Sequence, residues 1–182
     1  MKKLMYPFFL GTLTCVLAWS NGAWAGSTFT PVSGEYAYAY ADLGKQWTDD
    51  EGILHIRDAV LVFTTVSGDF QITGDSYAVF NLNLDLETGN GDSNNFSHYE
   101  GTFGDLSGTW SGHSSGTYTA FVDNGKFVFN GDGDFAGMHL RGTYWIAFGS
   151  GIATWEGIIH DPQGDKSGAE NRTWGDVKSL YH

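Results

Sequence analysis

Hydrophobic and polar residues alternate along much of this chain, in runs of about 5 to 12 residues. In SYAVFNLNLDLE, residues 76–87, five apolar side chains share one face: Ala78, Phe80, Leu82, Leu84 and Leu86. The segments EYAYAYA (35–41) and MHLRGTYWI (138–146) alternate in the same way. Because successive side chains of a strand point to opposite faces, this pattern predicts half-buried β-strands.

Short glycine-rich segments separate these runs at regular intervals. They include VSGDF, ITGDS, TGNGDSNN, FGDLSG, VDNGK and NGDGD. Asn-Gly and Gly-Asp pairs supply the positive φ angles that tight hairpins need. The chain is therefore expected to form about eight to ten antiparallel strands between Ser33 and His160.

A meander of strands without covering helices must either close on itself or form two packed sheets. We therefore predict an all-β fold, an antiparallel β-barrel of about eight strands, with a two-sheet β-sandwich as the alternative. The phrase Gly-Thr-aromatic occurs four times, beginning at Gly101, Gly108, Gly116 and Gly142. In each copy the glycine would let the strand bend and the aromatic side chain would fill the barrel.

The N-terminus has the layout of a secretory signal peptide. A basic start, MKK, precedes an apolar run too short to span a bilayer, and the sequence AWA fits cleavage after Ala25. The protein is therefore expected to be secreted or periplasmic, and Cys15 would leave with the signal. We predict three parts: a signal peptide over residues 1–25, a β-barrel domain over 26–160 and a polar C-terminal tail over 161–182.

The charge balance excludes some classes of partner. The chain has 21 acidic and 9 basic residues, a net charge of −12. Such a surface repels nucleic acid and anionic lipids. We therefore expect no nucleic-acid partner and no membrane insertion.

The segment NGDGDFAGMHLRGTYW, residues 130–145, invites comparison with an ion-binding loop. Asn130, Asp132 and Asp134 alternate as calcium ligands do, but the sixth position is Phe135 where an EF-hand needs glycine. A Gly-Lys-Ser/Thr phosphate motif is absent there, and no two histidines have the i, i+4 spacing of a helical zinc motif. The segment is therefore predicted to be a hairpin turn, and neither a metal nor a cofactor is predicted.

The run ILHIRDAVLVF, residues 53–63, contains charges where a strand should be apolar. Turning Leu54 and Ile56 inward would carry Asp58 into the barrel, whereas the opposite choice would carry His55 and Arg57. A buried ionisable group must be paired or have a shifted pKa, and such groups often mark functional sites. Asp58 is thus a candidate general acid or base and Arg57 a candidate ligand contact, unless both face water at the barrel mouth.

Aromatic side chains dominate the inward phases of several strands. Such a stripe is more often core than ligand cage, but in a barrel that is not completely filled it becomes the wall of a pocket. The candidate ligand-binding residues are Tyr36, Tyr38, Tyr40, Phe80, Tyr118, Tyr144 and Trp155, together with Arg57.

Two segments resemble strands of known barrel families. NGDGDFAGMHLRGTY looks like the penultimate-strand phrase of the allene oxide cyclase and dirigent barrels, and this likeness extends from Asn130 to His160. SGTWSG and GTYTAF resemble strand phrases of avidin-type barrels. Both resemblances imply a calycin-like, eight-stranded barrel with a central cavity. The cyclase and dirigent families hold a reactive intermediate in an apolar cavity, but none of their catalytic residues is carried over to this chain.

Three functions are open on this basis. The leading hypothesis is an exported barrel that binds a small apolar or aromatic molecule in its interior. The second is a cyclase-type or isomerase-type enzyme that uses the same cavity, with Asp58 transferring protons. The third is a solid barrel whose acidic surface meets a protein or polysaccharide, with exposed Trp110 and Trp145 as its marks.

Overall fold

The structure, a computed structural model, describes residues 27–164 as strands joined by short turns. The expected signal peptide and all but the first residues of the expected tail lie outside the described residues, so these boundaries stay predictions. No helix that could span a membrane occurs among residues 27–164. The nine strands are β1 Thr28–Asp42, β2 Lys45–Thr48, β3 Ile53–Gly68, β4 Phe70–Asp85, β5 Gly91–Phe103, β6 Leu106–Thr119, β7 Val122–Gly133, β8 His139–Ala147 and β9 Ile152–Asp161.

Antiparallel pairing closes eight of these strands into a barrel. From β3 to β9 each strand pairs with the next along the chain, and β1 pairs with β9 on one side and with β3 on the other. The short β2 lies outside the closed ring and pairs with the first residues of β3. The predicted antiparallel eight-stranded barrel is confirmed, and the sandwich alternative is wrong.

The inward faces follow the predicted alternation. Ala78, Phe80, Leu82 and Leu84 on β4 are all buried, as are Met138, just before β8, and Leu140 within it. Leu86 shares their phase in the sequence but follows the last residue of β4, and 45% of its surface is exposed. The alternation therefore predicts burial only as far as the strand extends.

A β-bulge resolves the conflict in the charged strand β3. Ile56 pairs with Leu82 and Ala59 with Phe80, so Arg57 and Asp58 together oppose a single residue of β4. Asp58 adopts a φ of 56°, and the extra residue reverses the phase of the strand. Apolar side chains therefore point inward on both sides of the bulge. We expected that one face of this strand would carry Asp58 into the barrel and that the other would carry His55 and Arg57. Because of the bulge, neither of these expectations holds.

The hairpin between β7 and β8 closes one end of the barrel. Asp134 Oδ2 accepts a hydrogen bond of 3.0 Å from the Ser107 backbone N–H, which ties this turn to its neighbour. Phe135 folds back into the barrel, is fully buried and stacks on Trp110 with ring centroids 4.9 Å apart. The acidic residues of this segment thus act as turn residues, as predicted. The Phe135 side chain fills this end of the barrel.

Glycines on the inward face make room for long aromatic side chains. One lateral row of paired residues runs across five strands, from β5 to β9: Ser93, Gly116, Gly125, Tyr144 and Trp155. A Cβ atom at Gly125 would lie 2.1 Å from the Tyr144 ring, and one at Gly116 would lie 2.5 Å from the Tyr144 hydroxyl. The Tyr144 side chain therefore extends across two neighbouring strands that carry no side chain in this row.

We expect Leu82→Ala to lower the free energy of unfolding by about 2–5 kcal/mol, because it removes a fully buried side chain from the barrel core. Leu86→Ala, the matched control on the same strand phase, should change it by less than about 0.5 kcal/mol because Leu86 is exposed. Urea denaturation of both variants measures the difference. Equal losses would contradict the inward register of β4.

Candidate functional site

An internal cavity of about 80 Å³ lies between the strands of the barrel. Its walls are mostly aromatic, and neighbouring rings touch one another: the Tyr36 and Trp155 centroids are 5.5 Å apart and the Tyr36 and Tyr99 centroids 5.7 Å. Burial raises the pKa of Tyr99 to about 12, so this phenol stays neutral at physiological pH. Principal wall residues are Tyr36, Phe63, Tyr99, Phe127, Phe129 and Trp155.

The structure brings together some of the candidate ligand-binding residues. Tyr36, Phe80, Tyr144 and Trp155 line the cavity. Tyr118 is buried in the core nearby. Each of these side chains is on the inward face that the sequence pattern gave it.

The remaining candidates lie away from the cavity. Tyr38 is half-buried against the core and Tyr40 is 41% exposed, because β1 ends soon after them. Asp58 is exposed at the β3 bulge and Arg57 is half-buried on the outer side of the barrel. Trp110, which the surface hypothesis required to be exposed, is buried against Phe135.

Arg57 belongs to a polar cluster around β2 and the first residues of β3. Its guanidinium donates to the carbonyl of Leu82 at 2.7 Å and lies over the Trp47 ring, 5.7 Å from the centroid. His55 hydrogen-bonds to Asp49 at 2.9 Å and stacks on Trp47. The hydrogen bond to Asp49 raises the pKa of His55. This outer cluster holds β2 against the barrel.

Sequence reasoning missed the polar groups inside the barrel. The inward face of β5 carries Ser93, Asn95 and Ser97, whereas the positions paired with them on β4 are the apolar residues Leu82, Phe80 and Ala78. Asn95 Oδ1 accepts hydrogen bonds from the hydroxyls of Ser97 and Ser114, and Asn95 and Ser114 both line the cavity. These short side chains leave the space that the cavity occupies.

Asp123 is the one carboxylate among the residues that line the cavity. Only 1% of its surface is exposed. Its Oδ2 atom accepts hydrogen bonds from Ser93 Oγ at 2.7 Å and from the Tyr144 hydroxyl at 3.2 Å. Oδ1 is buried and makes no hydrogen bond within residues 27–164. An acceptor without a partner in such a place is costly unless something else satisfies it.

Burial also changes the proton affinity of this site. Removal from water raises the pKa of the Asp123 carboxyl, although the hydrogen bonds from Ser93 and Tyr144 partly oppose the shift. Burial raises the pKa of the Tyr118 and Tyr144 hydroxyls as well. The cavity therefore holds one titratable carboxyl among phenols that remain neutral.

A sequence signal for Asp123 does exist. In VDNGKFVF, residues 122–129, Asp123 shares its strand phase with Gly125, Phe127 and Phe129. The pair Asn124-Gly125 resembles a hairpin turn, and this obscured the alternation. In the structure the turn lies earlier, at Ala120 and Phe121, so that Asp123 falls inside β7.

That turn is part of the barrel mouth, the end at which β6 meets β7 and β8 meets β9. Ala120 and Phe121 have φ angles of 50° and 66°, which are unfavourable for residues with side chains. The Phe121 N–H donates to Gly89 O and the Phe148 N–H donates to Phe121 O, both at 2.8 Å. These contacts hold a strained turn next to Asp123, and strain of this kind is concentrated at functional sites.

The described residues contain no cluster of three or more His, Asp or Glu side chains that could hold a metal ion. Three further buried groups lack hydrogen-bond partners within the same residues: Ser76 Oγ and the indole N–H groups of Trp110 and Trp155. Both tryptophans line the cavity. Among the residues that line the cavity, the polar side-chain atoms without a partner within residues 27–164 are thus one acceptor, Asp123 Oδ1, and two indole donors.

No protein-family model matches the chain, and no curated protein is significantly similar to it in sequence. The resemblances to the allene oxide cyclase, dirigent and avidin-type barrels therefore stay predictions beyond the barrel fold itself.

We expect the stability that Asp123 contributes to fall as the pH rises. Its pKa is higher in the folded state, so its contribution is full below the unfolded pKa of about 3.9 and is lost as the pH rises through the folded value. Urea unfolding of wild type and Asp123→Asn across this window should show wild type losing stability relative to the variant.

Asp105→Asn provides the control for this comparison, because it removes an equal charge from an exposed turn. Its difference from wild type should change little over the same pH range. A wild type that gains stability relative to Asp123→Asn as the pH rises would contradict the raised pKa.

Proposed function

We propose that this protein binds a small, mostly apolar molecule in the interior of its barrel. The observation that carries the proposal is the interior cavity with aromatic walls and a small set of polar groups at defined places. Ligand sites in proteins typically combine these two features. A barrel selected only for stability would fill the space with side chains, because empty volume and unpaired buried polar atoms both destabilise a fold.

The cavity volume limits the size of the ligand. About 80 Å³ is roughly half the volume of an engineered cavity that holds benzene. A ligand of a few non-hydrogen atoms fits the walls as they stand. An aromatic ligand, as the sequence suggested, would require side chains of the cavity wall to move.

An enzymatic role, if present, would use a different carboxylate from the one that the sequence suggested. Asp58 is outside the barrel and cannot reach a molecule in the cavity. Asp123 lines the cavity, has a raised pKa and neighbours two phenols, which is the arrangement that general acid–base catalysis uses. Proton transfer in a cyclase-like or isomerase-like reaction is therefore the second candidate function, with Asp123 as its acid or base.

The N-terminal sequence supports a proposal for the compartment in which the protein acts. Residues 1–25 have the order of a signal peptide, so the barrel would meet its ligand in the periplasm or outside the cell. A net charge of −12 suits solubility there and attracts cations rather than anions.

Native mass spectrometry of the protein purified from its own compartment, followed by denaturing extraction, tests the proposal. We expect wild type to carry a small molecule that Ala153→Leu loses, because Ala153 lines the cavity and a leucine would fill it. Thr154→Leu, at the exposed neighbouring position, should retain the molecule.

Circular dichroism should show that both variants keep the barrel, since an added side chain that enters free space avoids the cost of overpacking. Interior binding would be contradicted if the wild-type protein carried no small molecule and if isopropanol did not raise its Tm.

A further inference from the structure

We propose that the ligand of the cavity is a small organic ammonium ion, whose N–H groups donate to Asp123 Oδ1 while its carbon atoms contact the aromatic walls. This inference rests on the proposed function, because it names the class of molecule that the same cavity would take.

Asp123 lines the cavity, and its unpaired oxygen, Oδ1, packs against Gly116. A Cβ atom built at Gly116, whose strand position points into the barrel, would lie 1.9 Å from Oδ1. Gly116 is paired with Ser93 on one side and Gly125 on the other, and Tyr144 is the large side chain of this row that reaches the carboxylate, where it donates to Oδ2. The hydrogen bonds from Ser93 and Tyr144 fix Oδ2 and leave Oδ1 as the unpaired oxygen of a residue that lines the cavity.

The charge inside the cavity has no counter-charge from the protein. Among the lining residues that the structure describes, Asp123 is the only ionisable acid other than the tyrosines, and none is Lys, Arg or His. Breaking a buried ion pair by removing one partner is strongly destabilising, which shows how costly a lone buried charge is. A bound cation would supply the missing partner and satisfy the free acceptor at the same time.

The hydrogen bonds to Oδ2 favour a ligand that is a donor. Ser93 and Tyr144 can both donate to the ionised carboxylate, and this arrangement leaves Oδ1 as an acceptor alone. A neutral acceptor ligand, such as a ketone, could accept from an indole N–H of Trp110 or Trp155 but would leave Asp123 Oδ1 unsatisfied unless the carboxyl were protonated. An ammonium group would donate to Oδ1 while both hydrogen bonds to Oδ2 remain in place.

The aromatic walls of the cavity suit both the charge and the carbon atoms of such a cation. Aromatic faces attract ammonium groups, and the attraction is strongest when water is excluded. The rings form a continuous surface: Tyr99 and Phe129 centroids are 5.6 Å apart, and those of Phe127 and Phe129 are 5.0 Å apart. Buried carboxylate and aromatic faces in one small cavity select a compact cation over a neutral molecule of the same shape.

Isopropylammonium and isopropanol provide a matched pair of probes, since they differ only in NH₃⁺ for OH. Titration calorimetry of the full mature chain at pH 8 should show isopropylammonium binding more tightly than isopropanol, with sodium chloride at equal concentration as the blank. Asp123→Asn should weaken isopropylammonium binding by about tenfold or more, as loss of a buried charge partner does. Isopropanol binding should change little in this variant, and Asp105→Asn should behave as wild type.

A second measurement uses wild type alone and is independent of the folding of any variant. Isopropylammonium affinity should fall as the pH is lowered through the raised pKa of Asp123, because protonation removes the charge. The other titratable groups near Asp123 are Tyr118 on β6 and Tyr144 on β8, with Tyr99 of β5 beyond Tyr144 and with Tyr38 and Tyr40 of β1 beyond Tyr118. Burial keeps the two nearer phenols neutral throughout, so they add no charge change in this range.

The outcomes separate the two proposals. Isopropylammonium that binds no better than isopropanol, or equally well to Asp123→Asn, would overturn the cation inference while interior binding stands. Wild type that binds neither probe and carries no small molecule after purification would overturn both.

Discussion

The pairing of β1 with both β9 and β3 is the constraint on which the rest of the structure depends. It removes the free edges of the eight barrel strands and fixes the width of the interior that their inward side chains must fill. Large aromatic residues fill most of this space only because glycines oppose them on neighbouring strands. Tyr144 over Gly125 is the clearest example, since a side chain at that glycine would overlap the ring.

The same constraint explains where the cavity lies. The middle inward positions of β5, from Ser93 to Ser97, and of β6, from Gly112 to Gly116, carry serine, asparagine and glycine, and these are too short to reach the centre of the barrel. The strands opposite them carry rings that cannot cross the whole interior. The remaining space is therefore next to Asp123, which Ser93 and Tyr144 hold in place. A carboxylate kept in this position at a cost in stability is more readily explained by a ligand than by folding.

Ionisable side chains have different environments inside and outside the barrel. Asp49, His55 and Arg57 are held by hydrogen bonds on the outer side, where water and their partners stabilise the charged forms. Asp123 is inside, where burial raises the pKa of its carboxyl. The β3 bulge allows this separation, because it turns Arg57 and Asp58 outward without interrupting the apolar inward face of the strand.

The sequence by itself determined the class of fold, the number of strands to within about one, and the inward phase of β4, β8 and β9, because alternation by two and turn residues are local signals. It also placed Tyr36, Phe80, Tyr144 and Trp155 inside the barrel. Only the tertiary structure decided the position of Asp58, since a bulge depends on the pairing of two strands and leaves the sequence of one strand unchanged. It also decided that Asp123 is the buried carboxylate, because the burial of one side chain depends on what the facing strands carry.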